Sequence, residues 1–153
     1  MGVPVPVTLQ QQYSVLSRES EWEVIPAALY NGLGLLPWSP LAGGFLSGKY
    51  QRGTTPGAGT RAGSEKPLYQ WTSAEYAESD QNWDTIETVV RIAKEIGATP
   101  AQVALSWVTN QPTVVSPIVG ARTVKHLIEN LGAADLRVRG LRRRGRAQPG
   151  QLA

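Results

Sequence analysis

Two rhythms of apolar and polar residues run along this chain. Val3 to Gln10 alternates, with Val5, Val7 and Leu9 set against Pro6, Thr8 and Gln10, the period of a half-buried strand. Pro4 and Pro6 make its start a poor central strand. A polar cluster from Gln10 to Ser14 ends it. Glu19 to Asn31 then reads as a helix: Trp22, Ile25, Ala28 and Leu29 share one face, Glu19, Glu21 and Glu23 crowd the first turn, and Gly32 stops it. Leu33 to Trp38 is an apolar run bounded by Gly and Pro, the mark of a buried strand. Pro40 biases Ser39 away from the helical region, so the strand ends there.

Residues 53–79 lose the rhythm. They are rich in Gly, Thr, Ser and Pro and predict a long loop holding at most one short helix, a functional lid or a mobile insertion. Asp80 to Ile96 carries the strongest helical pattern, with Ile86, Val89, Val90, Ala93 and Ile96 on one face and Gly97 as its stop. Thr99-Pro100-Ala101-Gln102 is a capping box with Pro at the first helical position. The helix it opens carries Val103, Ala104, Trp107 and Val108. Val114 to Val119 predicts a short β-branched strand, and a last helix runs to about Leu131. Strands alternating with helices imply βα units and a parallel sheet. Beyond Val138 the periodicity stops, and residues 139–153 predict a disordered Arg-rich tail.

Composition narrows the classes. The chain has 153 residues and is 41% hydrophobic, enough for one packed domain. No cysteine is present, which excludes disulfides, zinc–thiolate sites and a thiol nucleophile and fits a reducing, cytoplasmic setting. No run reaches the roughly 20 apolar residues of a membrane span, and the start lacks the charged region of a signal peptide. The net charge of +3 is misleading. Arg137, Arg139, Arg142, Arg143, Arg144 and Arg146 are 6 of the 15 basic residues, so residues 1–136 hold all 12 acidic residues against 9 basic ones. The body has no basic stripe of the kind that binds nucleic acid.

The chemistry gathers after the second strand, in Leu35 to Tyr50. Gly43 to Lys49 fits the spacing of a phosphate-cradling G-x-x-x-x-G-K loop. Tyr50 follows, however, where that loop needs the hydroxyl of Ser or Thr on magnesium. Three motifs sit at the ends of three expected parallel strands: Gln10-x-x-Tyr13-Ser14, Trp38-Ser39-Pro40-Leu41-x-Gly43-Gly44, and Gly120-Ala121-Arg122-Thr123-x-x-His126-x-x-Glu129-Asn130. Ligands of α/β sheets bind at that end.

In this order the motifs resemble the second half of the aldo-keto reductase family, over about residues 3 to 138. The resemblance implies a part of a (β/α)8 TIM barrel, about the last three βα units, binding NADPH. By resemblance, Gln10 would bond the nicotinamide carboxamide and Trp38 would stack under its ring. Ser39, Pro40, Leu41, Gly43 and the loop on to Lys49 would line the pyrophosphate. Gly120, Arg122 and Thr123 would hold the 2′-phosphate or ribose, with His126, Glu129 and Asn130 beside the adenine. Thr123 also suits a helix cap, and His126 stands where the family usually has Gln. Trp22, Trp71, Trp83 and Trp107 read as core or loop anchors.

The family's catalytic Asp, Tyr, Lys and His come from earlier strands, and a barrel needs about 250 residues. The resemblance therefore implies a C-terminal fragment with cofactor contacts and no catalytic residue of its own. A carbonyl substrate would enter only a complete barrel. Open sheet edges, with Val5, Val7, Leu35 and Val115 lacking an opposite wall, predict self-association or docking onto another chain.

Overall fold

The computed structural model describes residues 4–137. The expected Arg-rich tail, and Val3 at the start of the first expected strand, lie outside the described residues. Strand β1 (Thr8–Gln12) runs parallel to β2 (Gly34–Trp38), with Thr8 opposite Gly34 and Gln12 opposite Trp38. Between them lies helix α1 (Val24–Tyr30). Residues 113–118 run along the other side of β2. Leu35 N donates to Thr113 O at 2.7 Å, Val115 N to Leu35 O at 3.0 Å and Ile118 N to Pro37 O at 2.7 Å. This segment forms isolated parallel bridges, Leu35 with Val114 and Trp38 with Ile118, rather than the continuous strand expected. Pro117 has no N–H to give, which breaks the ladder.

Two other expectations shift. The first strand begins at Thr8, not Val3, because Pro4 and Pro6 cannot donate to a ladder. Gln10 therefore lies mid-strand, opposite Leu36, instead of at the strand end. The helix expected over Glu19–Asn31 splits into a 3-10 turn, Glu19–Glu21, and α1. Pro26 is tolerated only in a first helical turn, and its place in the first turn of α1 fits a helix that starts afresh at Val24. Ile25 and Ala28 are buried, but Trp22 and Leu29 are exposed, so Trp22 is no core anchor.

From residue 80 on, the α-helices follow their sequence signals closely, whereas part of the loop expected before them is helical. Helix α2 (Pro67–Ala77) occupies the second half of the expected loop. Helix α3 (Asp80–Ile96) is capped by Ser79 and ends on left-handed Gly97 at φ 68°. Helix α4 (Pro100–Thr109) opens with the full capping box: Gln102 N donates to Thr99 Oγ1 at 3.2 Å and Thr99 N to Gln102 Oε1 at 3.0 Å. Helix α5 (Val124–Leu131) follows Thr123. The core lies where α3 and α4 meet β2 and the segment after it, burying Leu35, Phe45, Leu46, Ile86, Val89, Val103, Trp107 and Val108. Leu35, expected to be bare, is fully buried, whereas Val5, Val7 and Val115 are exposed.

Candidate functional site

The chain leaves β2 through an unusual backbone. Ser39 and Ala42 take positive φ, 57° and 47°, and Gly43, Gly44 and Gly48 follow at 65°, 103° and 78°. Such angles are costly for non-glycine residues and persist where surrounding packing imposes them. Here the packing comes from below. Phe45 is buried with its ring centroid 4.6 Å from Tyr50, 5.7 Å from Tyr76 and 5.9 Å from Trp83. Ser47 Oγ donates to Gly44 O at 2.6 Å, closing the loop on itself. Gly44 is required by its φ of 103°, and Lys49, whose Nζ lies 2.6 Å from where a Cβ would stand, folds back across the loop. A Cβ at Gly48 would fall 2.8 Å from Pro100 Cγ, so that glycine lets the loop abut the start of α4.

Three further segments converge on this loop. Residues 57–64 form a tight turn in which Thr60 Oγ1 donates to Gly57 O at 2.7 Å, and Ala62 N donates to the Tyr50 hydroxyl at 3.1 Å. That bond hangs the turn on the aromatic cluster and brings Thr60 and Arg61 to the loop's open side. Arg61 lies over the Tyr69 ring at 5.8 Å. From the sheet come Ile118, Val119 and Gly120. From α5 come His126, Glu129 and Asn130. Thr123 Oγ1 accepts from His126 N at 3.2 Å, and Gln102 Nε2 donates to Glu129 O at 3.1 Å, tying α5 to α4.

Together these segments enclose an open cleft of about 590 Å³, a size usual for small-molecule and cofactor sites. Trp38, Ser39, Pro40, Leu41, Gly43 and Lys49 line one side, and Gly120, Arg122, His126, Glu129 and Asn130 the other. Of the residues expected at a site, the fold leaves out Gln10 and Thr123: the first is exposed in mid-strand, the second serves as the α5 cap. Gly44 and Ser47, in the loop expected to line the pyrophosphate, are in the cleft too, and the sequence reading missed Thr60, Arg61, Ala101, Ile118 and Val119. Only a cation in a Gly- and Thr-rich stretch could have flagged Arg61. Lys49, Arg61 and Arg122 face a single carboxylate, Glu129, across the cleft, a balance that attracts an anion.

The tyrosines near the sheet are engaged elsewhere. Buried Tyr13 donates to Glu21 Oε1 at 2.8 Å, and Glu21 holds Arg18 at 2.7 and 2.9 Å. Arg18 lies 4.9 Å over Trp107. Burial, then the bond to Glu21, pushes the Tyr13 hydroxyl well above its ordinary range. Tyr76 accepts from Gln12 Nε2 at 2.7 Å and shares a 3.2 Å bond with Ser17, and burial raises it too. Among the described residues no group of His, Asp and Glu could hold a metal ion, and no helix is long and apolar enough to cross a membrane.

The family model described as the aldo/keto reductase family matches residues 1–139. The chain belongs to the aldo/keto reductase family. It is 38% identical over 130 residues to an uncharacterized oxidoreductase, YrpG, of Bacillus subtilis, covering 85% of this chain and 36% of that protein. It is 35% identical over 133 residues to a probable voltage-gated potassium channel subunit beta of Oryza sativa, covering 86% of this chain and 39% of that one. A probable aldo-keto reductase 1 of Glycine max is 35% identical over 135 residues, 87% of this chain and 37% of that protein. The chain thus spans well under half the length of these relatives. Family membership accords with an α/β fold containing parallel strands.

Proposed function

We propose that the cleft is part of a nicotinamide dinucleotide site with a preference for NADPH. In this reading the chain is the C-terminal portion, about three βα units, of a barrel oxidoreductase acting on aldehydes or ketones. One observation carries it: the glycine loop after β2 and the Gly120–Asn130 stretch, distant in sequence, converge on one cationic cleft. The residues present fit the cofactor. The flat ring of Trp38, 43% exposed, suits a nicotinamide face. The turn from Ser39 to Gly48, with positive φ at Ser39, Ala42, Gly43, Gly44 and Gly48 and with Lys49 across it, suits a phosphate held by backbone N–H groups and a point charge. Arg61 and Arg122 offer planar forks to a further phosphate. Glu129 and Asn130 present polar groups to the adenosine end.

When bound, the cofactor supplies hydride to a carbonyl carbon. This chain's residues bind and orient it, and the protein's body screens one side from water. Reduction also needs a proton at the developing alkoxide. Tyr13 and Tyr76 have their hydroxyls engaged away from the cleft, and the Tyr50 hydroxyl, which does not line it, accepts from Ala62 N. In this reading the chain alone holds no catalytic residue, and the donor comes from sequence outside it. Association with another chain is the companion reading, favoured by the exposed Val5, Val7 and Val115 on the two flanks of the sheet.

The test is an affinity comparison. Arg122→Ala should weaken NADPH binding by roughly 1.5–3 kcal/mol, the worth of a charge-assisted pair, and NADH binding much less. Quenching of the chain's tryptophan fluorescence on titration reports both. Equal losses for the two cofactors would remove Arg122 from the 2′-phosphate.

A further inference from the structure

Helix α5 brings His126, Glu129 and Asn130 to the cleft, yet none of its own residues is buried. An eight-residue helix has little stability by itself, so the place of that cleft wall is fixed from outside the helix. Much of the fixing is polar and comes from α4. Gln102, Ser106 and Asn110 recur every fourth residue, which sets them on one side of that helix and its cap. Gln102 Oε1 accepts from Thr99 N at 3.0 Å, and its Nε2 donates to Glu129 O at 3.1 Å. Ser106 is fully buried, and its hydroxyl donates to Leu136 O at 2.5 Å. Asn110 Nδ2 donates to Ser106 O at 2.7 Å and to Ser106 Oγ at 3.4 Å, while Asn110 Oδ1 accepts from Arg137 Nη1. One connected set of bonds therefore holds residues 136 and 137 through Ser106 and Asn110. Buried Ala133, and Leu136 packed against the core, complete the joint. Its base is rigid, because Val103, Ala104, Trp107 and Val108 of α4 lie in the core.

We infer that Gln102, Ser106 and Asn110 are positioning residues for the cleft, with the Ser106 hydroxyl at their centre, and that they set how tightly it grips the adenosine end of a dinucleotide. Hydrogen bonds are directional, so they fix the slide and rotation of a helix that apolar contact alone would let slip. The three residues act through α5 and not on a ligand: among the described residues of α4, Ala101 alone lines the cleft. Removing the Ser106 hydroxyl takes the side-chain donor from Leu136 O and an acceptor from Asn110. The segment after α5 is then held less firmly, and with it the last turn, which carries Glu129 and Asn130. The opposite wall does not share these bonds. It is built on β2 and the Phe45 aromatic cluster. The effect on a ligand is therefore one-ended, weakening the adenosine half and sparing the nicotinamide half. That effect rests on the cofactor reading, whereas the effect on α5 does not.

The experiment compares the full chain with its Ser106→Ala variant, which loses one hydroxyl and almost no volume. Amide hydrogen exchange without ligand should speed up over residues 127–132 by roughly tenfold, the equilibrium equivalent of one buried hydrogen bond, and stay unchanged in α3. Titrations should then show NADPH and adenosine 2′,5′-bisphosphate both losing affinity by a similar factor, and nicotinamide mononucleotide losing none. The loss for NADPH should shrink in an Asn130→Ala background, where the contact to be positioned is already gone. Unchanged exchange in α5 overturns the proposal. So does faster exchange with unchanged NADPH affinity, and so does an equal loss for the two halves of the cofactor, the mark of a general loosening. If Ser106→Ala does not fold, Asn110→Ala and Arg137→Ala, at exposed residues of the same joint, are judged by the same criteria. Faster exchange in α5 from a chain that binds neither NADPH nor the bisphosphate would sink the cofactor reading and leave the joint to α4 standing.

Discussion

The Tyr13 hydroxyl links three elements: it rises from the end of β1, donates to Glu21 in the 3-10 turn, and its ring lies 5.5 Å from Trp107 on α4. Burial and the carboxylate both hold it neutral. Its pKa in the fold is raised above the unfolded value, so its contribution to stability is complete below about pH 10 and declines as the unfolded chain begins to ionise above that. The decline approaches about 1.4 kcal/mol per pH unit for one such group. Tyr76 adds in the same direction. Tyr13→Phe should cost stability near neutral pH yet flatten the alkaline decline, as urea unfolding from about pH 8 to 11 would reveal. Parallel declines in both proteins would mean that the hydroxyl ionises freely in the fold. The residue scale also explains Gly44, whose φ of 103° disfavours any side chain.

At the scale of elements, α4 joins stability to the site. Its capping box fastens the first turn, its buried face fills the core, and Ala101 reaches the cleft. Thr99→Ala should lower the unfolding free energy by about 1 kcal/mol, the usual cost of a lost cap, without changing NADPH affinity. Gln102→Ala should lower both, because the same amide also holds Glu129 O on α5. Urea unfolding and a cofactor titration on each variant check this; unchanged affinity in Gln102→Ala would detach α5 from the site. The same helices were the most legible part of the chain. Their signals are local: apolar spacing from Ile86 to Ala93, the Thr99–Gln102 box, and the glycine stop at 97. The strands were read less well, because Pro4, Pro6 and Pro117 decide which N–H groups can join a ladder, and that depends on partners remote in sequence. Trp22 shares its spacing with buried Ile25 but lies outside the helix that Pro26 allows. The cleft was legible where a motif marks it and not where a turn delivers a residue. Arg61 arrives there through the Ala62–Tyr50 bond, a contact that no local pattern announces.

At the scale of the whole molecule, the described residues fill a core on one side and expose apolar side chains on two flanks. Its cleft collects Lys49, Arg61 and Arg122, while the tyrosine hydroxyls described in its core are bonded elsewhere. On the reading proposed here, that division separates holding a cofactor from using it. Arg52, which pairs with Asp80, Asp84 and Glu87 across the surface, adds little to either, since exposed ion pairs are screened by solvent and salt. The measurement that bears most directly on the central claim is a calorimetric titration of NADPH into the isolated chain with an aldehyde present. The account predicts a saturable binding isotherm and a baseline that returns to zero after each addition. No binding heat, or a continuing heat corresponding to turnover above about 1 s⁻¹, the lower end of ordinary enzyme rates, would contradict it.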